Sequence, residues 1–148
     1  MSKILIIDDE KDICFLISEI LVDEKYITEY AINSSIALNK FTKFKPDLII
    51  LDVWLGNSDL DGIELLKKFK ELNPLIPIII ISGHGTVDMA VNAIKCGAYD
   101  FIEKPFNSEK IIIVSKRAIE SANLLQENNK LKSLTIKQIP LIGNSNFI

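Results

Sequence analysis

The sequence predicts an α/β protein, a doubly wound parallel sheet of five strands with helices on both faces. Two observations predict it. Short, solidly apolar runs recur at residues 4–7, 48–51 and 78–81, as strands buried on both faces require. Between them lie segments whose apolar residues repeat at helical spacing. The first run leads into Asp8, Asp9 and Glu10. Ile13, Leu16, Ile17, Ile20 and Leu21 then form the stripe of a first helix. A weaker strand follows at residues 26–31, and Ser34 suits the N-cap of a second helix carrying Ala37, Leu38 and Phe41. Pro46 precedes the third strand, which ends on Asp52, and Ile63, Leu66 and Phe69 mark the third helix. Pro77 precedes the fourth strand, which ends on Ser82 and Gly83. Val87, Ala90, Val91 and Ile94 make the fourth helical stripe, and Gly97 sits where that helix should stop. The fifth strand, at residues 99–102, is followed by Lys104 and Pro105. Asn107 or Ser108 then caps a last helix running to about residue 134, in which Leu124, Asn128 and Leu131 fit a short a/d seam with Asn128 as its polar member.

Composition narrows the function. A chain of 148 residues is long enough for one domain with a proper core. With 25% charged and 48% hydrophobic residues it reads as globular, and a net charge of −3 gives no electrostatic case for binding nucleic acid. Cys14 and Cys96 fall in apolar periodic segments and read as reduced core thiols, which points to the cytoplasm. No apolar run reaches membrane-spanning length, and the chain enters its first strand without a signal peptide.

In such folds ligands bind beyond the carboxyl ends of the strands, near the point where strand order reverses. The strand ends here supply Asp8 and Asp9, Asp52, Ser82 and Lys104. Three carboxylates, a hydroxyl and an ammonium should therefore share one rim. Carboxylates this close raise one another's pKa unless a cation balances them, and hard oxygen ligands suit Mg²⁺. A carboxylate can attack phosphorus to give an acyl phosphate, a reaction that needs charge neutralisation more than covalent help. Each residue also has a plainer reading. The opening acids suit the first turn of a helix, Asp52 a strand-end turn, Ser82 an N-cap. Lys104 could be a solvated lysine, Phe101 simple strand packing and His84 a loop residue.

The segments "ILIIDDE", "PDLIILDVWL", "DGIELL", "IIISGHGT" and "GAYDFIEKPF" resemble the receiver domain of bacterial two-component response regulators across residues 3–120. The resemblance implies the flavodoxin-like strand order 2-1-3-4-5. It makes Asp52 the phosphoacceptor for a sensor histidine kinase. Asp9 becomes a direct Mg²⁺ ligand, Asp8 a ligand through water, and Asp52 and the Trp54 backbone carbonyl further ligands. Ser82 and Lys104 would contact the phosphoryl group, and the Lys104–Pro105 bond would be cis. Phe101 occupies the switch-aromatic position, where Tyr is commoner, so the hydroxyl that could report the switch is missing. Such a chain is no enzyme beyond catalysing its own phosphorylation and dephosphorylation.

The long loop of "DVWLGNSDLDGIELL", the stretch "SGHGTVDMAVNAIKCGAYDFIEKPF" and the closing "LIGNSNF" resemble NtrC/NtrX-type regulators, the NtrX group most of all. In those proteins "LIG-S" opens an AAA+ domain, but no G-x-x-x-x-G-K-[ST] loop is present here. The expected organisation is a receiver at 1–120 and a helical linker at 121–148. The expected partners are a sensor kinase and a second copy of the chain, with DNA reached only through absent output domains that regulate transcription. The alternative function is a pseudo-receiver that acts only as an interaction module. A haloacid-dehalogenase-type phosphatase needs an Asp where Trp54 stands, and a flavodoxin-like flavin carrier needs a hydroxyl-rich phosphate loop where Asp8–Glu10 would repel phosphate.

Overall fold

The computed structural model describes residues 2–53, 62–83 and 87–138, with side chains described as far as residue 125. Strands and helices alternate throughout. They are β1 (Lys3–Ile7), α1 (Lys11–Asp23), β2 (Ile27–Ala31), α2 (Ser34–Phe44), β3 (Leu48–Asp52), α3 (Gly62–Leu72), β4 (Ile78–Ser82), α4 (Val87–Lys95), β5 (Asp100–Glu103) and α5 (Ser108–Gln138). The strands form one parallel sheet of order β2-β1-β3-β4-β5. The chain order therefore reverses between β1 and β3.

Unbroken apolar strands are explained by burial on both faces. Leu5, Ile7, Ile49, Leu51, Ile78 and Ile80 point to one side, where Ala37, Leu65, Leu66, Phe69 and Ala93 of α2, α3 and α4 cover them. Ile4, Ile6, Leu48, Ile50, Ile79 and Ile81 point to the other, against Cys14, Ile17 and Leu21 of α1 and Ile111, Val114 and Ala118 of α5. Alternate residues along each strand thus serve opposite layers.

The helices depart from the sequence reading in identifiable ways. Asn33, not Ser34, caps α2, accepting from the Ile36 N–H at 2.9 Å, while Ser34 is the buried first helical residue. Asn107 caps α5 through the Lys110 N–H at 2.7 Å. In α1 the buried line is Cys14, Ile17 and Leu21, leaving Leu16 47% exposed. Leu16 sits one residue before Ile17, about 100° round the helix from it. In α4 only Ala93 is fully buried, and Val87, Val91 and Ile94 face outward. Cys96 lies half-buried in the turn after α4 instead of in the core, whereas Cys14 is fully buried, and both thiols are free. Gly97 has φ +110°, the left-handed conformation that ends α4. Helix α5 extends to Gln138, a turn beyond the expected end.

Candidate phosphoryl-transfer site

Register sets the rim. Ile7 pairs with Leu51, Asp52 with Ile81 and Ser82 with Glu103, so β1, β3, β4 and β5 end nearly level. Asp8, one residue past β1, is fully buried. Its N–H donates to the Ala31 carbonyl at 3.1 Å, and its Oδ1 accepts from the Glu10 N–H at 2.9 Å. That second bond turns the chain into α1 and leaves Asp9 and Glu10 exposed. Carboxylate oxygens of Asp8, Asp9 and Glu10 lie within 4.8 Å of one another. Beneath them the Cys14 thiol donates to the Asp8 carbonyl oxygen at 3.4 Å.

Asp52 closes β3 and is buried. The Lys104 ammonium stands between the two buried acids, 3.1 Å from Asp8 Oδ2 and 3.2 Å from Asp52 Oδ2. Lys104 is itself anchored, its N–H donating to the Ser82 carbonyl at 2.8 Å, and its bond to Pro105 is cis. Ser82 is fully buried at the same rim. At Gly83 a Cβ would meet only the Lys104 side chain, 3.7 Å away. Space alone does not require glycine there.

Gly62 is a residue that the sequence reading missed. A Cβ on it would fall 2.5 Å from the Asp52 carbonyl oxygen and 2.5 Å from Val53 Cα, and its N–H donates to the Val53 carbonyl at 3.0 Å. The start of α3 is pressed against the backbone that carries Asp52, and only glycine fits. Its one sequence signal is its place between Asp61 and the apolar stripe of α3. Trp54 and His84 lie outside the described residues.

The family described as the response regulator receiver domain matches residues 4–116. This chain belongs to that family. The receiver is 50% identical over 145 residues to a "Putative response regulator NtrX-like" of Rickettsia bellii, covering 98% of this chain and 30% of that protein. Among solved structures it is similar to the receiver domain of NtrX from Brucella abortus, at 47% identity and TM-score 0.77, covering 79% of this chain and 98% of that one. It is also similar to the "beryllofluoride-activated NtrC4 receiver domain dimer", at 39% identity and TM-score 0.77, covering 82% and 99% of the two chains. The receiver spans about a third of the length of the curated relatives it matches.

Electrostatics in the receiver follow from this packing. Burial pushes the Asp8 carboxyl up to about 7; the Glu10 N–H and the Lys104 ammonium pull it down, and the Asp52 charge adds to the rise. For Lys104, burial pulls the ammonium down, but Asp52 and Asp8 outweigh it and leave it raised. Burial, with the Asp8 charge beside it, holds the Cys14 thiol up at about 12, so it stays protonated and remains a donor. The acidic cluster suits Mg²⁺, a hard cation taking carboxylate and water oxygens. Phe101 does not join the rim. It is half-buried on β5, packs against the layer of α2, α3 and α4, and shares a surface groove with Ala90, Val91 and Ile94.

Proposed function

We propose that this receiver takes a phosphoryl group from a sensor histidine kinase onto Asp52 and passes the change to a transcription-regulating output. The observation that carries the reading is one ammonium, Lys104, spanning Asp8 and Asp52 at the point where strand order reverses. An Asp52 oxygen attacks phosphorus in line. The P–N bond of the donor breaks, its electron pair stays on the imidazole, and a P–O bond forms on Asp52. Lys104 exchanges part of its contact with the Asp52 carboxylate for a phosphoryl oxygen, and the Ser82 hydroxyl donates to another. Asp8 and Asp9, with the Trp54 carbonyl, would hold Mg²⁺, which neutralises charge on the phosphoryl oxygens when bound.

Ser82 and Phe101 lie on β4 and β5, so phosphorylation would reach the outward face of α4 through them. The reading extends to a homodimer in the cytoplasm, with DNA contacted only by domains beyond this chain. Support for the dimer comes from the similarity to a receiver solved as a dimer. Among the described residues no helix is long and apolar enough to cross a membrane.

Acetyl phosphate with Mg²⁺ tests the chemistry. One base-labile, hydroxylamine-sensitive phosphoryl group per chain is expected, and none in Asp52→Asn. Undiminished labelling of Asp52→Asn would remove the assignment. An unlabelled parent would favour a pure interaction module.

A further inference from the structure

At the end of the sheet opposite the acids, a cavity of about 290 Å³ opens where β4 and β5 begin and α5 passes them. Ile76 and Pro77 lead into β4, residues 97–99 lead into β5, and Ser121 and Leu125 come from α5. One charged side chain lines it, Lys70 of α3, and no Asp or Glu does. Lys70 Nζ donates to the Ile76 carbonyl oxygen at 2.9 Å, its single hydrogen bond among the described residues. It forms no ion pair with any described carboxylate.

The backbone is shaped around this lysine. Gly97 carries φ +110°, and a Cβ there would sit 3.3 Å from both Cγ and Cε of Lys70. The turn after α4 thus leaves room for the lysine stem. Burial lowers the Lys70 pKa with nothing to offset it. A partly desolvated ammonium with one neutral acceptor and unused N–H groups is stabilised by an anion. Most of the lining residues are apolar, with the side chains of Tyr99 and Ser121 as the hydroxyl-bearing members, although the exposed wall is as much polar as apolar. A pocket with a single charged side chain orients a ligand by its charged end.

We propose that this cavity binds a small monocarboxylic acid with a compact apolar body, its carboxylate on Lys70 Nζ and its body against Leu75, Ala122 and Leu125. A single ammonium matches one negative charge better than the two of a phosphate. The site is independent of the phosphoryl chemistry at Asp52, so neither reading depends on the other.

Amide NMR of the full chain, titrated at neutral pH with hexanoate, tests it. Saturable shifts at the amides of Gly97, Ala98 and Tyr99 are expected. Hexan-1-ol should bind at least about tenfold more weakly, since it lacks the charge-assisted bond. Lys70→Met keeps the apolar stem and should lose hexanoate by a similar factor. Ser121→Phe, which fills the cavity from the α5 wall and leaves Lys70 in place, should abolish the shifts even if Lys70→Met fails to fold. Absence of saturable shifts overturns the proposal. So does equal affinity for hexan-1-ol, unchanged binding in either folded variant, or identical shifts with sulfate, which would make the site an unselective attractor of anions.

Discussion

Asp8 is the residue whose surroundings are most at odds with its charge. Its carboxyl is fully buried and raised to about 7 from 3.8. Between those values the folded chain binds a proton that the unfolded chain releases. The resulting stability is complete below the unfolded value near 3.8 and is lost as pH rises through about 7. In EDTA, urea unfolding should therefore show greater stability at pH 5.5 than at pH 8. Asp8→Asn keeps an acceptor for the Glu10 N–H, so it should stabilise the metal-free chain at pH 8 by on the order of 2 kcal/mol and flatten the dependence. A variant with the parent's pH profile would show that Asp8 is not the titrating group. The rim residues Asp8, Asp52 and Ser82 were legible because each follows an apolar run directly, and Lys104 because it stands just past the fifth strand, before Pro105. Gly62 was not, since its need arises from backbone 2.5 Å away that only the fold brings there. Asn33 and Ser34 are adjacent and both able to cap, and composition cannot choose between them.

At the level of elements, strands were easier to read than helix faces. A strand buried on both sides announces itself as a run of Ile and Leu. A helical stripe says which residues share a face but not what that face meets. In α4 the stripe is real, yet Val87 is 79% exposed and Ile94 47% exposed, because Ala93 makes the contact with the sheet layer. Helix α5 holds a different irregularity. Ser115 is fully buried, and its Oγ has no hydrogen-bond partner among the described residues. A buried hydroxyl left unpaired costs about 1–3 kcal/mol. Ser115→Ala should accordingly stabilise the receiver by about 1 kcal/mol, read as a higher urea midpoint at unchanged slope. A loss of stability would mean that the hydroxyl is satisfied in solution.

For the whole molecule, α5 has two parts. Its packing on the sheet layer reaches Ile119, Ala122 is still buried, and the helix then continues to Gln138. Leu124 and Leu125 are exposed. A chain ending at residue 125 should keep its thermal midpoint but dimerise more weakly, as sedimentation would report. An unchanged monomer–dimer equilibrium would assign dimerisation to the receiver body alone. On the proposed reading, the lifetime of an acyl phosphate on Asp52 would depend on how readily water reaches the phosphorus. Trp54 stands two residues after Asp52 and His84 two after Ser82. Both are bulky, and the Trp54 indole offers no base to activate water. Phosphorylated parent should decay slowly, and Trp54→Asn should lose phosphate faster. An equal or slower decay would show that Trp54 does not keep water from the phosphorus.

The contact between Gly62 and the end of β3 also bears on how this molecule can be altered. The Gly62 N–H and the Val53 carbonyl meet at 3.0 Å, so residues 54–61 start and finish at one fixed junction. Closing a loop between such ends depends only weakly on its length, and doubling it costs about 0.6 kcal/mol. The architecture therefore sets the anchor points of this segment and constrains its length only weakly. A designer could use the same freedom. A short fluorescent peptide spliced between residues 57 and 60 should leave the thermal midpoint little changed, because it only lengthens a segment whose two ends are already joined.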